Sequence, residues 1–230
     1  QDPMSALNPV LRVGDQIAEV LKIHRKDLSA KQIDEHVDEI FRTVGIPATR
    51  KHEYPHQFSG GMKQRIVIAI ALACQPKLLL ADEPTTALDV TIQAQVLQLM
   101  RELKKNFDSS IVLITHDLGV VAELCDNVAV MYAGEIIEIG SIEDIFEGKS
   151  HHPYTVGLFG SIPNMNESET RLHPINGIMP DPTNLPTGCK FHDRCPHCTE
   201  KCVKESPAFV TEGTHSIRCH LFNKEAVENV

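Results

Sequence analysis

Two hundred and thirty residues, with 22 Lys and Arg against 31 Asp and Glu, give a formal charge of −9 and a content of 42% hydrophobic and 23% charged residues. That is the composition of a soluble, folded chain with a sizeable core, and no apolar run approaches the roughly 18 residues of a membrane-spanning helix. The acidic balance, the absence of Trp and the three Tyr and eight Phe argue against nucleic acid as a partner, since neither a basic footprint nor stacking platforms are present.

The chain opens on Gln1 rather than Met, with no basic-then-apolar leader, as expected of a processed chain or a piece of a longer one. Residues 8–57 read as helical and amphipathic. Val13, Ile17, Val20 and Leu21, then Ile33, Val37, Ile40, Phe41 and Val44, recur at three- and four-residue spacing. Ser29 and Gln32 form a capping-box pattern, and Gly45 with Pro47 closes the second helix. Met62 to Cys74 is apolar nearly all round, which predicts a buried helix ended by Pro76. Lys77 to Ala81 reads as a central parallel strand covered on both faces. A helix over Thr91–Phe107, a strand over Ser110–Thr115, a helix over Leu118–Cys125, a third strand over Asn127–Tyr132 and a hairpin strand over Gly134–Gly140 follow. The alternation predicts an α/β layer structure. From His151 onward Pro, Gly, His and Cys accumulate, and periodicity fades. This predicts a small region of little regular structure that needs a staple.

Four short segments carry chemistry. Ser59-Gly60-Gly61 opens a helix, presenting a hydroxyl and backbone amides to which a phosphate can come close. The strand ending in Asp82-Glu83 places two carboxylates at an edge where α/β sheets bind ligands; one can hold Mg²⁺ through water and the other can orient an attacking water. Thr85-Thr86-Ala87-Leu88-Asp89 follows, and Thr115-His116-Asp117 sets a histidine just after a strand, within reach of a phosphate. Each segment alone is a weak signal. Their order and spacing together are not.

In that order the segments resemble the latter part of an ABC-transporter ATPase subunit. Phe58 to Met62 is similar to the family signature Leu-Ser-Gly-Gly-Gln, with Phe58 and Met62 as departures. The resemblance implies a RecA-like parallel-sheet core with a helical subdomain. It further implies Asp82 for Mg²⁺, Glu83 as catalytic base, His116 as the switch histidine, and Thr86–Asp89 as the D-loop. Ser59, Gly60, Gly61 and Asp89 would act on ATP held by a second subunit in a head-to-tail dimer. Gln1-Asp2-Pro3-Met4 resembles the Q-loop, whose Gln1 would contact metal and water. The helical segment 8–57 would dock on two transmembrane permease subunits at the cytoplasmic face of the membrane. No Gly-x-x-x-x-Gly-Lys-Ser/Thr is present in the sequence. Gly148-Lys149-Ser150 lacks the first glycine, which falls on Glu143, and reads as a surface turn. The family's phosphate loop lies upstream of the Q-loop, so the chain is expected to lack it. It supplies charge-assisted hydrogen bonds worth about 1.5–3 kcal/mol each, so these residues alone are expected neither to bind ATP tightly nor to hydrolyse it.

Of the seven cysteines, Cys74 and Cys125 read as core thiols, and five lie between Cys189 and Cys219. Thiols this dense imply a soft metal or an iron–sulfur cluster, and the spacing leaves zinc open. His152-Pro153-Tyr154, Ser161-Ile162-Pro163, Gly188-Cys189, Arg194-Cys195-Pro196 and Arg218-Cys219-His220 resemble the C-terminal extension of oligopeptide and dipeptide importer ATPases. That resemblance implies a 4Fe–4S cluster on Cys189, Cys195, Cys202 and Cys219, with Cys198 as bystander or alternative ligand, and Zn²⁺ as the competing metal. The expected organisation is a Q-loop and helical subdomain over 1–57, an ATPase-core part over 58–146, and a metal-stapled Cys-rich extension over 147–230. The expected function is ATP hydrolysis powering peptide import, with a peptide-binding protein as an indirect partner. The alternatives are a soluble ABC ATPase of DNA repair or translation, and an iron–sulfur or zinc sensor module on an ATPase scaffold.

Overall fold

The computed structural model describes residues 3–86, 88–106, 109–161 and 174–223. Gln1 therefore lies outside the described residues, as do Ala87 of the expected D-loop and Ile162 and Pro163. The chain divides into two compact units, Gln1–Leu124 and Cys125–Val230.

The first unit is built around α-helices α1 (Pro3–Ala6), α2 (Val13–His24), α3 (Ala30–Thr43), α4 (Gly60–Leu72), α5 (Val90–Asn106) and α6 (Leu118–Leu124), with strands β1 (Leu78–Asp82) and β2 (Ser110–Ile114). The apolar spacing read from the sequence puts Val13, Ile17 and Leu21 of α2 and Ile33, Val37, Ile40 and Phe41 of α3 in one core with Ile66, Ala69 and Leu72 of α4. Helix α3 starts where Ser29 Oγ accepts from Gln32 N and Gln32 Oε1 accepts from Ser29 N at 2.8 Å, the reciprocal cap that satisfies two otherwise orphaned amides. It ends at Gly45, whose φ of +72° is left-handed. Gly45 N donates to Arg42 O (3.0 Å) and Ile46 N to Phe41 O (2.9 Å), so the last carbonyls are satisfied and Ile46 turns into the core.

Strands β1 and β2 pair in parallel, from Leu78 opposite Ser110 to Asp82 opposite Ile114. The expectation of a strand covered on both faces does not hold among the described residues. Leu79, Ala81, Ile111 and Leu113 pack on the core, whereas Leu80 and Ile114 on the other face are 66% and 53% exposed. The continuous apolar run is that of a two-sided buried strand, but only one side of this two-stranded pair has helices against it.

The second unit contains β3 (Asn127–Tyr132), β4 (Glu135–Ser141), α7 (Ile142–Phe146), α8 (Pro153–Gly160), α9 (Glu200–Lys204), β5 (Phe209–Glu212) and β6 (His215–Arg218). Its sheet has the order β3-β4-β6-β5, antiparallel throughout. Asn127–Tyr132 is thus not a third member of the parallel pair but the edge of a separate sheet. The region after His151 also has more regular structure than its composition suggests, because β6 returns to β4 and pairs Glu138 with Ile217. Strands of four residues are too short for period-two alternation to stand out. That pairing also explains why the compact units divide after Leu124: the β3–β4 hairpin belongs with the C-terminal sheet. Val130, Tyr132, Ile137, Ile145 and Phe191 form its core, with Tyr132 and Phe191 edge-to-face at 5.1 Å. No described helix is long and apolar enough to cross a membrane.

Phe41 is fully buried and Leu80 is not. Phe41→Ala is expected to lower unfolding stability by about 3–5 kcal/mol, and Leu80→Ser by no more than about 0.5 kcal/mol. Urea denaturation of the two variants measures the difference.

Candidate functional site

The first cluster sits where β1 and β2 end. Glu83 follows β1 directly, and its amide continues the ladder by donating to Ile114 O at 2.9 Å. Its φ of +45° is left-handed, uncommon for a non-glycine residue and of the kind stored at functional sites. One carboxylate oxygen, Oε1, lies 2.8 Å from Nδ1 of His116, and the other accepts from the Thr86 hydroxyl. Thr86, and then His116, hold the Glu83 carboxyl below the usual carboxylate range, and Glu83 in turn raises His116. The ring of His116 is largely exposed, leaving its far edge to solvent. Asp82 is exposed at the same strand end. The expected carboxylate pair and the histidine are thus brought to one edge.

Supporting contacts fix these loops. Asp117 caps α6 by accepting from Gly119 N (2.9 Å) and Val120 N (3.2 Å), and Gln93 of α5 donates to its other oxygen at 3.2 Å. Asp89 accepts from Ile92 N at 3.0 Å, which starts α5. Gln64 of α4, buried, donates to Pro84 O at 2.8 Å and so ties that helix to the turn after Glu83. Sequence reasoning did not single out Gln64. Its one visible signal was an uncharged polar residue inside a helix otherwise apolar nearly all round.

At the start of α4, Ser59 is the N-cap residue and is exposed, and its hydroxyl makes no capping bond to the helix. Gly60 and Gly61 differ in what a side chain would meet. A Cβ on Gly60 meets nothing within 4 Å, whereas one on Gly61 would lie 2.3 Å from Ile92 Cγ2. The two departures from the signature pattern share a partner, Arg50, which sequence reasoning missed. Its guanidinium lies 4.3 Å from the Phe58 ring centroid and donates to Met62 Sδ at 3.4 Å, while Glu53 pairs with it at 2.6 Å.

The second cluster lies in the other unit. Cys189, Cys195, Cys202 and Cys219 line one cavity of about 350 Å³, with His152 and His220 in its wall. Cys198 does not line it and is exposed, its sulfur directed to Thr199 O. Gly188 makes the cavity's backbone possible: its φ is +62°, and a Cβ there would lie 2.3 Å from Cys202 O. Cys189 N then donates to the same carbonyl at 2.8 Å. None of the cysteines forms a disulfide. Burial pushes Cys189, Cys195 and Cys219 up, Cys219 to about 11.

Comparison with known proteins agrees with this layout. The family model described as ABC transporter matches residues 1–86, and that of the oligopeptide/dipeptide transporter C-terminal region matches 137–202. The oligopeptide transport ATP-binding protein AppD of Bacillus subtilis is 49% identical over 99% of the chain and 70% of its own length. The dipeptide transport ATP-binding protein DppD of the same organism is 51% identical over 98% of the chain and 68% of its length. The chain belongs to the ABC transporter family of ATP-binding proteins. Among solved structures, CbiO1 from Clostridium perfringens, part of the ABC transporter complex cbiONQ, superposes with a TM-score of 0.57 at 32% identity, covering 64% of this chain and 57% of that one. An ATP-binding cassette solved as a post-hydrolysis dimer with ADP and Pi gives 0.51 at 27% identity, covering 59% of each chain. The fold is that of an ABC ATPase with mixed α and β content.

In this member of the family, Gly60 and Gly61 are separable by stability. Gly61→Ala must displace Ile92 and is expected to cost about 1–3 kcal/mol. Gly60→Ala is expected to leave the denaturation midpoint unchanged, as thermal unfolding followed by circular dichroism reads out.

Proposed function

We infer that the chain carries the hydrolytic carboxylate and the signature segment of an ATPase subunit that powers import of oligopeptides or dipeptides. The observation that carries the reading is the Thr86–Glu83–His116 arrangement at the ends of the parallel pair, with Asp82 beside it. The relatives' names, all of transport proteins, favour it over an ATPase of DNA repair or translation.

Glu83 is the general base. Its carboxylate is kept ionised by Thr86 and His116, and it takes a proton from the water that attacks the terminal phosphate. His116, fixed through Nδ1, offers Nε2 toward that phosphate. Asp82 would hold Mg²⁺, which would polarise the phosphate oxygens, and Gln1 would complete the metal and water contacts. Ser59, with its hydroxyl uncommitted to the helix, and the α4 amides at Gly60 and Gly61 would close on ATP held by a second ATPase subunit, with Asp89 nearby. Two transmembrane permease subunits complete the assembly at the cytoplasmic face, with a peptide-binding protein delivering cargo to them.

Because the sequence contains no phosphate loop, calorimetric titration of the 230-residue chain with Mg·ATP is expected to give no binding tighter than about 1 mM. A micromolar dissociation constant would overturn this. Fusing the phosphate-loop segment of AppD ahead of Gln1 should restore hydrolysis, and Glu83→Gln in that fusion should lower kcat at least about 100-fold. Unchanged turnover in the variant would remove Glu83 from the role.

The cysteine cavity is read as a 4Fe–4S site on Cys189, Cys195, Cys202 and Cys219, with zinc as the alternative. Tetrahedral zinc with bonds of about 2.3 Å needs sulfurs about 3.8 Å apart. Among the described residues the group of donors within 4.8 Å of one another is a different one, so these four sulfurs stand wider than a zinc site asks. A bound cluster supplies four strong cross-links to a segment with little apolar core. Anaerobic reconstitution should give a brown chain absorbing near 400 nm with about four irons. A colourless chain with stoichiometric zinc would refute the cluster.

A further inference from the structure

We propose that Glu138, His151 and His215 form a second metal site, for a divalent transition ion of the zinc class. The three come from β4, the loop before α8, and β6, and their donor atoms all lie within 4.8 Å of one another. Oε1 of Glu138 is 2.8 Å from His151 Nδ1 and 2.8 Å from His215 Nε2. The carboxylate is wholly buried, and both rings are nearly so.

Each donor is already oriented by an outer contact. Oε2 of Glu138 is occupied by the Thr155 hydroxyl (2.6 Å) and His152 N (2.9 Å), which leaves Oε1 to the two imidazoles. Nε2 of His151 faces Gly148 O at 2.9 Å. A carbonyl only accepts, so that nitrogen carries a proton. Without a metal ion, the contact of Nδ1 with Oε1 needs a shared proton between them. With a metal ion, Nε2–H keeps its bond to Gly148 and the Nδ1 lone pair turns to the ion, the second-shell pattern of metal-bound histidine. On binding, Nδ1 of His151 and Nε2 of His215 give up to water any proton they hold toward Oε1, each ring keeps or takes one proton on its other nitrogen and so stays neutral, and the buried carboxylate is balanced by the ion.

Two imidazoles and one carboxylate suit zinc and its neighbours rather than Mg²⁺ or Ca²⁺. Bonds of about 2.0–2.2 Å in tetrahedral array place donors about 3.4 Å apart, so each ring has to withdraw from Oε1 by about half an ångström. Water takes the fourth position. The site is separate from the cysteine cavity, whose lining includes none of the three, although His152, whose amide donates to Glu138, lines that cavity.

The probe is Zn²⁺ alone, added to the unmodified, metal-free chain, read by ¹H–¹⁵N NMR of the histidine rings so that uptake by thiols does not interfere. The expected result is a shift of His151 Nδ1 and His215 Nε2 to metal-bound positions, saturating with one equivalent beyond any taken by cysteine. His215→Asn should weaken this step at least about 100-fold and abolish the His151 shift. If both rings keep their metal-free resonances at about tenfold excess Zn²⁺, the cluster is a histidine–carboxylate hydrogen-bonded clasp only and the proposal fails. The parent measurement decides this even where a variant does not fold.

Discussion

The parallel register of β1 and β2 is the constraint on which the Glu83–His116 edge depends. Asp82 opposite Ile114 makes both strands end at the same level, so the loops that follow leave side by side. The ladder then runs one bond further, to Glu83 N, and a left-handed residue turns the chain. A slip of one residue would reverse the faces of all five pairs and carry Glu83 away from His116. The helices serve this register from outside: α4 holds Pro84 through Gln64, and α5 holds Asp117 through Gln93.

The second unit solves a different problem. Its apolar core is small, centred on Val130, Tyr132, Ile137, Ile145 and Phe191, and its strands beyond β4 are short. Polar and sulfur-bearing groups take over where apolar area runs out. Glu138, on a central strand, gathers four donors from the segment before α8, from α8 and from β6. A carboxylate with that many partners is tolerable when buried, and each partner lost leaves its charge less well compensated. His152, whose amide donates to Glu138, also lines the cysteine cavity.

Much of the first unit was legible because its signals are local. The Ser29–Gln32 cap, the Gly45 stop and the spacing of Val13, Ile17 and Leu21 are decided within one or two helical turns, and the structure follows them. The carboxylates and histidine were legible from order along the chain. What was not legible depends on partners far apart in sequence. Arg50 lies 12 residues from Met62, and Glu138 lies 77 from His215. The exposure of Leu80 was hidden because an apolar strand reads alike whether one face or both are covered. The pairing of β6 with β4 was hidden because four residues carry too little alternation.

That exposed face sets how the chain behaves in concentrated solution. Leu78, Leu80, Val112 and Ile114 present adjoining side chains on a flat, two-stranded strip, a surface that sticks to its own copies with no specific geometry. The net charge of −9 opposes this at low ionic strength, and added salt screens the repulsion while leaving the apolar attraction intact. Colloidal stability of the isolated chain is therefore governed by salt through a patch that contributes nothing to its own folding core.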